Sequence, residues 1–112
     1  MDTAESVIGE AEVTCGLPTA AQVTSLEEAR AAIDRVDAAL AVLLERRAEL
    51  AGAVQRLKPV GGFAGRDRRR EHQIVEAMAR RAPSLGAERL ARIMNAVIEA
   101  GLEVAEESRE AR

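Results

Sequence analysis

The chain has 112 residues, enough for one domain, and is rich in Ala, Leu, Glu and Arg, with a single Phe and no Tyr or Trp. Little is left from which to build a sheet, so the expected fold class is all-α, with Leu, Ile, Val, Met and Ala packing between helices. The formal charge is −3, and beyond an acidic start basic and acidic residues alternate except in the run Arg66 to Arg70, which argues against the strongly basic face of a nucleic-acid binder. No apolar run approaches the ~20 residues that span a bilayer, which argues against a membrane role.

Residues 1–24 hold Asp2, Glu5, Glu10 and Glu12 but no Lys or Arg, show weak periodicity, and are broken by Gly16-Leu17-Pro18. They read as a mobile acidic N-terminal arm, leaving 25–112 as the helical domain. The arm lacks the basic start and apolar run of a secretory signal, so a cytoplasmic protein is expected. Cys15, the only cysteine, allows no internal disulfide or Cys-ligated metal site and has no basic neighbour to lower its pKa.

Thr24 or Ser25, with Glu27 or Glu28 three residues later, forms a capping-box pattern that starts the first helix of the domain, and Pro59 and Gly61-Gly62 end it. Leu26, Ala29, Ile33, Val36, Leu40, Leu43, Leu50, Val54 and Leu57 recur every three or four positions, with Arg47 filling the one gap. An ionised guanidinium in such a seam needs an anionic partner, either a ligand or the registry role that coiled coils give to a polar residue. At about 33 residues and about 50 Å, this helix outreaches a compact domain whose radius of gyration is near ~12 Å. Its stripe therefore calls for a second copy: a two-fold homodimer with long helices intertwined and antiparallel.

A second helix begins near Asp67, whose carboxylate suits the helix N-terminus, and stops near Arg81, before Pro83; its inner face starts charged and turns apolar at Ile74 and Met78. Ser84 is the expected cap of a third helix, which carries Leu90, Ile93, Met94, Val97, Ile98, Leu102 and Val104 and dissolves into the charged tail from Glu106. On the first helix, Arg47 and Lys58 project from nearly one face about 16 Å apart, spaced to grip one small dianion, whereas Arg30 lies about 25 Å before Arg47. In an antiparallel dimer the neighbouring chain's Arg30 arrives from the other direction. His72 is turned about 100° from Glu71 and reads as a surface residue.

These positions resemble the all-helical chorismate mutases: Arg30-x-x-Ile33-x-x-x-Asp37-x-x-Leu40, Leu43-Leu44-x-x-Arg47, Lys58, Asp67-x-x-Arg70-Glu71 and Ile98-Glu99; the resemblance covers Leu26 to about Glu107 and is in register without a gap from Arg30 to Glu71. The resemblance implies a three-helix protomer in an intertwined dimer with two equivalent sites, and a Claisen rearrangement of chorismate to prephenate that uses no cofactor, metal, nucleophile or proton transfer. It implies that the partner's Arg30 and this chain's Arg47 pair with the substrate carboxylates, for which guanidinium forks are suited. Lys58 would face the ether oxygen, and Glu71, helped by the backbone at Asp67, would accept a hydrogen bond from the group at ring position C4. Arg70 would position Glu71, and Val54 and Ile98 would form apolar walls. The loop Gly61-Gly62-Phe63-Ala64-Gly65 reads as a flexible connection that orders over substrate.

Two positions depart from the family. Well-known members carry a Ser and, four residues later, a Gln that touch a carboxylate and the ether oxygen; the matching positions here are Gly101 and Ala105. Loss of such a donor is worth on the order of 3 kcal/mol in the transition state. Three explanations are compatible with it: a slow mutase, with activation by a partner protein; rearrangement of 4-amino-4-deoxychorismate, whose ammonium would meet Glu71 in a pocket widened at Gly101 and Ala105; or pyruvate elimination from isochorismate. A non-enzymatic helical dimerisation module explains the heptads but leaves Arg47, Lys58 and the first turn at Asp67 unused.

Overall fold

The computed structural model describes residues 8–58 and 66–111. Every regular element among them is helical: α1 (Glu10–Val13), one turn of 3-10 helix at Ala20–Gln22, α2 (Leu26–Leu57), α3 (Arg68–Arg81) and α4 (Gly86–Glu110). The chain falls into two compact units, one ending at Val42 and the other beginning at Leu43. Pro59, Val60 and the loop 61–65, expected to end the long helix and to cover substrate, lie outside the described residues. Among the described residues, no helix is long and apolar enough to cross a membrane.

In the first unit, the acidic segment holds two short turns that periodicity could not announce, because elements of three or four residues have no period to display. They are specified by caps instead. The Gly9 N–H donates to Glu12 Oε1 at 2.9 Å and the Thr19 N–H to Gln22 Oε1 at 2.8 Å. Gly16 takes a positive φ of 78°, which glycine adopts without strain, and its carbonyl accepts from the Arg35 guanidinium on α2. Cys15 is exposed.

The start of α2 uses both candidate cap residues. Ser25 Oγ accepts from the Glu28 N–H at 3.0 Å, while Glu28 Oε1 accepts from the Thr24 N–H at 2.8 Å and the Thr24 hydroxyl at 2.9 Å. The reciprocal half of the box is therefore displaced by one residue. Those bonds, the backbone one first, hold the Glu28 carboxyl below its ordinary range. Glu27 and Glu28 in the first turn and Arg56 in the last complement the helix dipole.

No residue of α2 is buried. Its apolar stripe stands in water, with Ile33 57%, Leu43 55% and Leu50 58% exposed, and each such side chain forgoes roughly half of the 1.5–3 kcal/mol that full burial brings.

In the second unit α3 packs along α4, and Leu90 and Met94 of α4 are the buried hydrophobic residues among those described. Asp67 caps α3 from extended backbone, its carboxylate accepting from the Arg70 N–H at 3.1 Å, and Ala82 closes the helix by donating to Met78 O at 2.9 Å just before Pro83. Two expectations for α4 are corrected. Ser84 is not its cap: the N-cap position is Leu85, in helical backbone with no side-chain cap bond. The turn is closed by the Gly86 N–H bonding to Ala82 O at 3.1 Å, with Gly86 at φ 79°, so backbone geometry available to glycine replaces a hydroxyl. Nor does the helix dissolve at Glu106. It runs to Glu110, supported by the Arg109–Glu106 pair at 3.0 Å and the Ala111 N–H on Glu107 O, since charged pairs three or four apart stabilise an exposed helix.

Gly101 is buried on α4 with Ala51 of α2 opposite; a Cβ there would lie 3.8 Å from the Ala51 Cβ. A methyl group there would meet Ala51 without displacing it. Because 3.8 Å is ordinary van der Waals contact, Gly101→Ala is expected to stabilise the protein by about 0.5–1 kcal/mol through helix propensity. Urea denaturation measures this, and a lowered midpoint would show that the contact is already tight.

Candidate functional site

The first turn of α3 is built around one carboxylate. With Asp67 holding the Arg70 N–H, Glu71 sits one turn into the helix, and Arg66, just before the cap, folds back over it. Arg66 Nε donates to Glu71 Oε2 at 2.9 Å and Nη2 to Oε1 at 2.8 Å, a two-pronged ion pair. Arg68 Nη1 stands 3.5 Å from the same Oε1, and Arg66 Nη1 lies 3.5 Å from Glu99 Oε2 on α4. The central pair is largely shielded, with side chains 17% exposed at Arg66 and 14% at Glu71.

The Arg66 bonds, more than partial burial opposes, hold the Glu71 carboxyl below its ordinary value of 4.5. A folded-state pKa lowered in this way makes the pair's contribution to stability fully present above the ordinary value and lost as pH falls through the depressed one. The difference in Tm between the wild type and Glu71→Gln is therefore expected at pH 7 and should shrink as the pH drops below 4.5. A difference that stays constant through that range would refute the ionised pair.

Beside the fork, a cavity of about 230 Å³ opens between α3 and α4, lined by Arg66, Glu71, Val75, Met94, Asn95 and Ile98. Ile98 and Glu71 line the same cavity. Arg47 is half-buried on α2 and Lys58 half-buried just past its end. Val54, expected as a wall, is 54% exposed. Ala105 is half-buried and lines a separate groove of about 630 Å³ with Ala48, Gly52, Gln55 and Leu102. Arg30 belongs to the first unit and is exposed. His72 is exposed too, paired with Glu76 at 3.1 Å.

The guanidinium that holds Glu71 is that of Arg66, where the resemblance assigned this task to Arg70. Arg70 precedes Glu71 by one helical position, about 100° around the axis, so the two side chains diverge; Arg70 is exposed and contributes its backbone N–H to the cap. Arg66 lay in plain view at the head of the basic run 66–70, but a contact five residues apart across a helix N-cap follows no helical spacing. Among the described residues no group of three or more His, Cys, Asp or Glu could hold a metal ion.

Among the described residues every regular element is helical, Arg47 is half-buried on α2 with Lys58 half-buried just past its end, and Glu71 shares a cavity with Ile98 between α3 and α4. Residues 29–106 match the family of chorismate mutase type II, and the chain belongs to that family: it is an isomerase acting on a small-molecule substrate. No curated protein and no solved structure matches the chain.

Proposed function

We propose that the protein rearranges chorismate to prephenate as a homodimer, each of its two sites completed by Arg30 of the neighbouring chain. The observation that carries this reading is Glu71, ionised and aimed beside Ile98 by a capped first turn, at the position where the family accepts a hydrogen bond from the C4 hydroxyl. The exposed stripe of α2 supports pairing with a second copy, since burying it is the largest gain open to this chain.

In this reaction the ether C–O bond breaks as a C–C bond forms between the two ends of the substrate, in one cyclic step with no proton to move. The protein has to hold the flexible side chain over the ring and meet negative charge growing on the ether oxygen. Arg47 and the partner's Arg30 clamp the two carboxylates, Lys58 faces the ether oxygen, and Glu71 with the backbone at Asp67 fixes the ring through C4.

With no Tyr or Trp, the protein leaves the near ultraviolet clear, so loss of the substrate diene can be followed at high enzyme concentration. Comparison of kcat/KM for chorismate, 4-amino-4-deoxychorismate and isochorismate is expected to rank chorismate first. Release of pyruvate from isochorismate as the fastest reaction would overturn the reading. Ala105→Gln tests the pose: a donor restored on α4 is expected to raise kcat for chorismate by roughly tenfold, part of the value of an oxyanion donor. A fall in kcat would mean that chorismate does not bind with its ether oxygen near that position.

A further inference from the structure

We propose that Arg66 is a positioning and selectivity residue, holding Glu71 as an already matched carboxylate so that the site accepts a neutral hydroxyl, and not an ammonium, at the ring position Glu71 meets. This rests on the reading of Glu71 as acceptor for that ring substituent.

The charges around Glu71 are largely local, with Asp67 adding a neighbouring negative charge that its cap bond to the Arg70 N–H partly occupies. Glu71 is forked by Arg66 and flanked by Arg68, and Arg66 is further balanced by Glu99. A carboxylate offers about four acceptor directions and the fork takes two, so a hydroxyl still finds a lone pair. An ammonium needs more. It gains most from an unmatched negative charge, yet here it would come to rest beside a guanidinium 2.8 Å from the same oxygen, and like charges brought together oppose binding.

The arrangement also sets distance. Arg66 is bonded to α3 through Glu71 and reaches α4 through Glu99, one residue beyond Ile98. The acceptor for the ring substituent and an apolar wall are therefore referred to one guanidinium. A planar fork does this where a single ammonium cannot.

The test uses the full chain as wild type, Arg66→Gln and Arg66→Lys, with kcat/KM for chorismate and 4-amino-4-deoxychorismate and a carbon-13 NMR titration of the Glu71 carboxyl. The wild type is expected to prefer chorismate. Arg66→Gln should lower kcat/KM for chorismate about tenfold, chiefly through KM, shift the preference toward the amino substrate about tenfold, and move the Glu71 titration upward. Arg66→Lys, which keeps the charge without the fork, should keep the preference while losing kcat/KM. Equal losses on both substrates in Arg66→Gln, or an unmoved Glu71 titration, would overturn the selectivity role.

If Arg66→Gln does not fold, Arg66→Lys decides alone: kinetics identical to wild type would refute the fork, and a fall in kcat/KM with preference retained would uphold it. A wild type inactive on both substrates overturns the functional reading itself, and is seen before any variant is made.

Discussion

Lys58→Ala is expected to lower kcat for chorismate by roughly two to three orders of magnitude, the usual consequence of removing a donor aimed at a developing oxyanion, with a much smaller effect on substrate binding. The reason is where the charge appears. The substrate's carboxylates are fully charged before and after the reaction, so in the proposed pose Arg47 and the partner's Arg30 would contribute to ground-state binding as well as to the transition state. The ether oxygen becomes anionic only as its bond to carbon breaks, so a cation facing it acts on the barrier. With Gly101 and Ala105 on α4 supplying no side-chain donor, the proposed mechanism leaves that task almost wholly to Lys58. Arg47→Ala should differ in kind, raising KM as well as lowering kcat. Steady-state kinetics separates the two, and wild-type turnover in Lys58→Ala would refute the electrostatic mechanism.

Mixing two nearly inactive proteins, Arg30→Ala and Lys58→Ala, and refolding them together is expected to restore about a quarter of wild-type activity. Random pairing makes half the dimers mixed, and in each mixed dimer one site collects both defects while the other has neither. The physical basis is α2, whose Ile33, Leu40, Leu43, Leu50 and Val54 are exposed among the described residues, together with an Arg30 that precedes Arg47 by 17 residues on one continuous helix. Native mass spectrometry verifies the mixing. Full exchange without recovered activity would show that Arg30 does not act in trans, and a stable ~12 kDa monomer at micromolar concentration would remove the shared site altogether.

The local parts of this protein were written in short stretches of residues. Thr24, Ser25 and Glu28 announce the start of α2 because a cap bond spans only three or four residues, and Asp67 announces α3 for the same reason. The 3-4 spacing of apolar residues declared a long helix with one sticky face, and the register of Arg30, Arg47, Lys58 and Glu71 pointed to the family to which the chain belongs. Where a local signal had competitors, it misled. Ser84 looked like a cap, but the turn before α4 closes through Gly86, and the charged residues after Glu106 continue the helix through their own pairs.

What the amino-acid order determined by itself was therefore whatever depends on neighbours within a turn or two: helical class, the borders of α2 and α3 and the apolar stripe. What only the tertiary structure decided depends on backbone paths brought together from afar. That Gly101 of α4 lies opposite Ala51 of α2 could not be read from either residue's neighbours, and Arg66 looked like one more charge in a basic run until it was found forked onto Glu71 and reaching Glu99 on α4. Helical periodicity ranks residues by which way they face, but the partner a side chain meets is set by where the next helix lies, and that is a property of the folded chain.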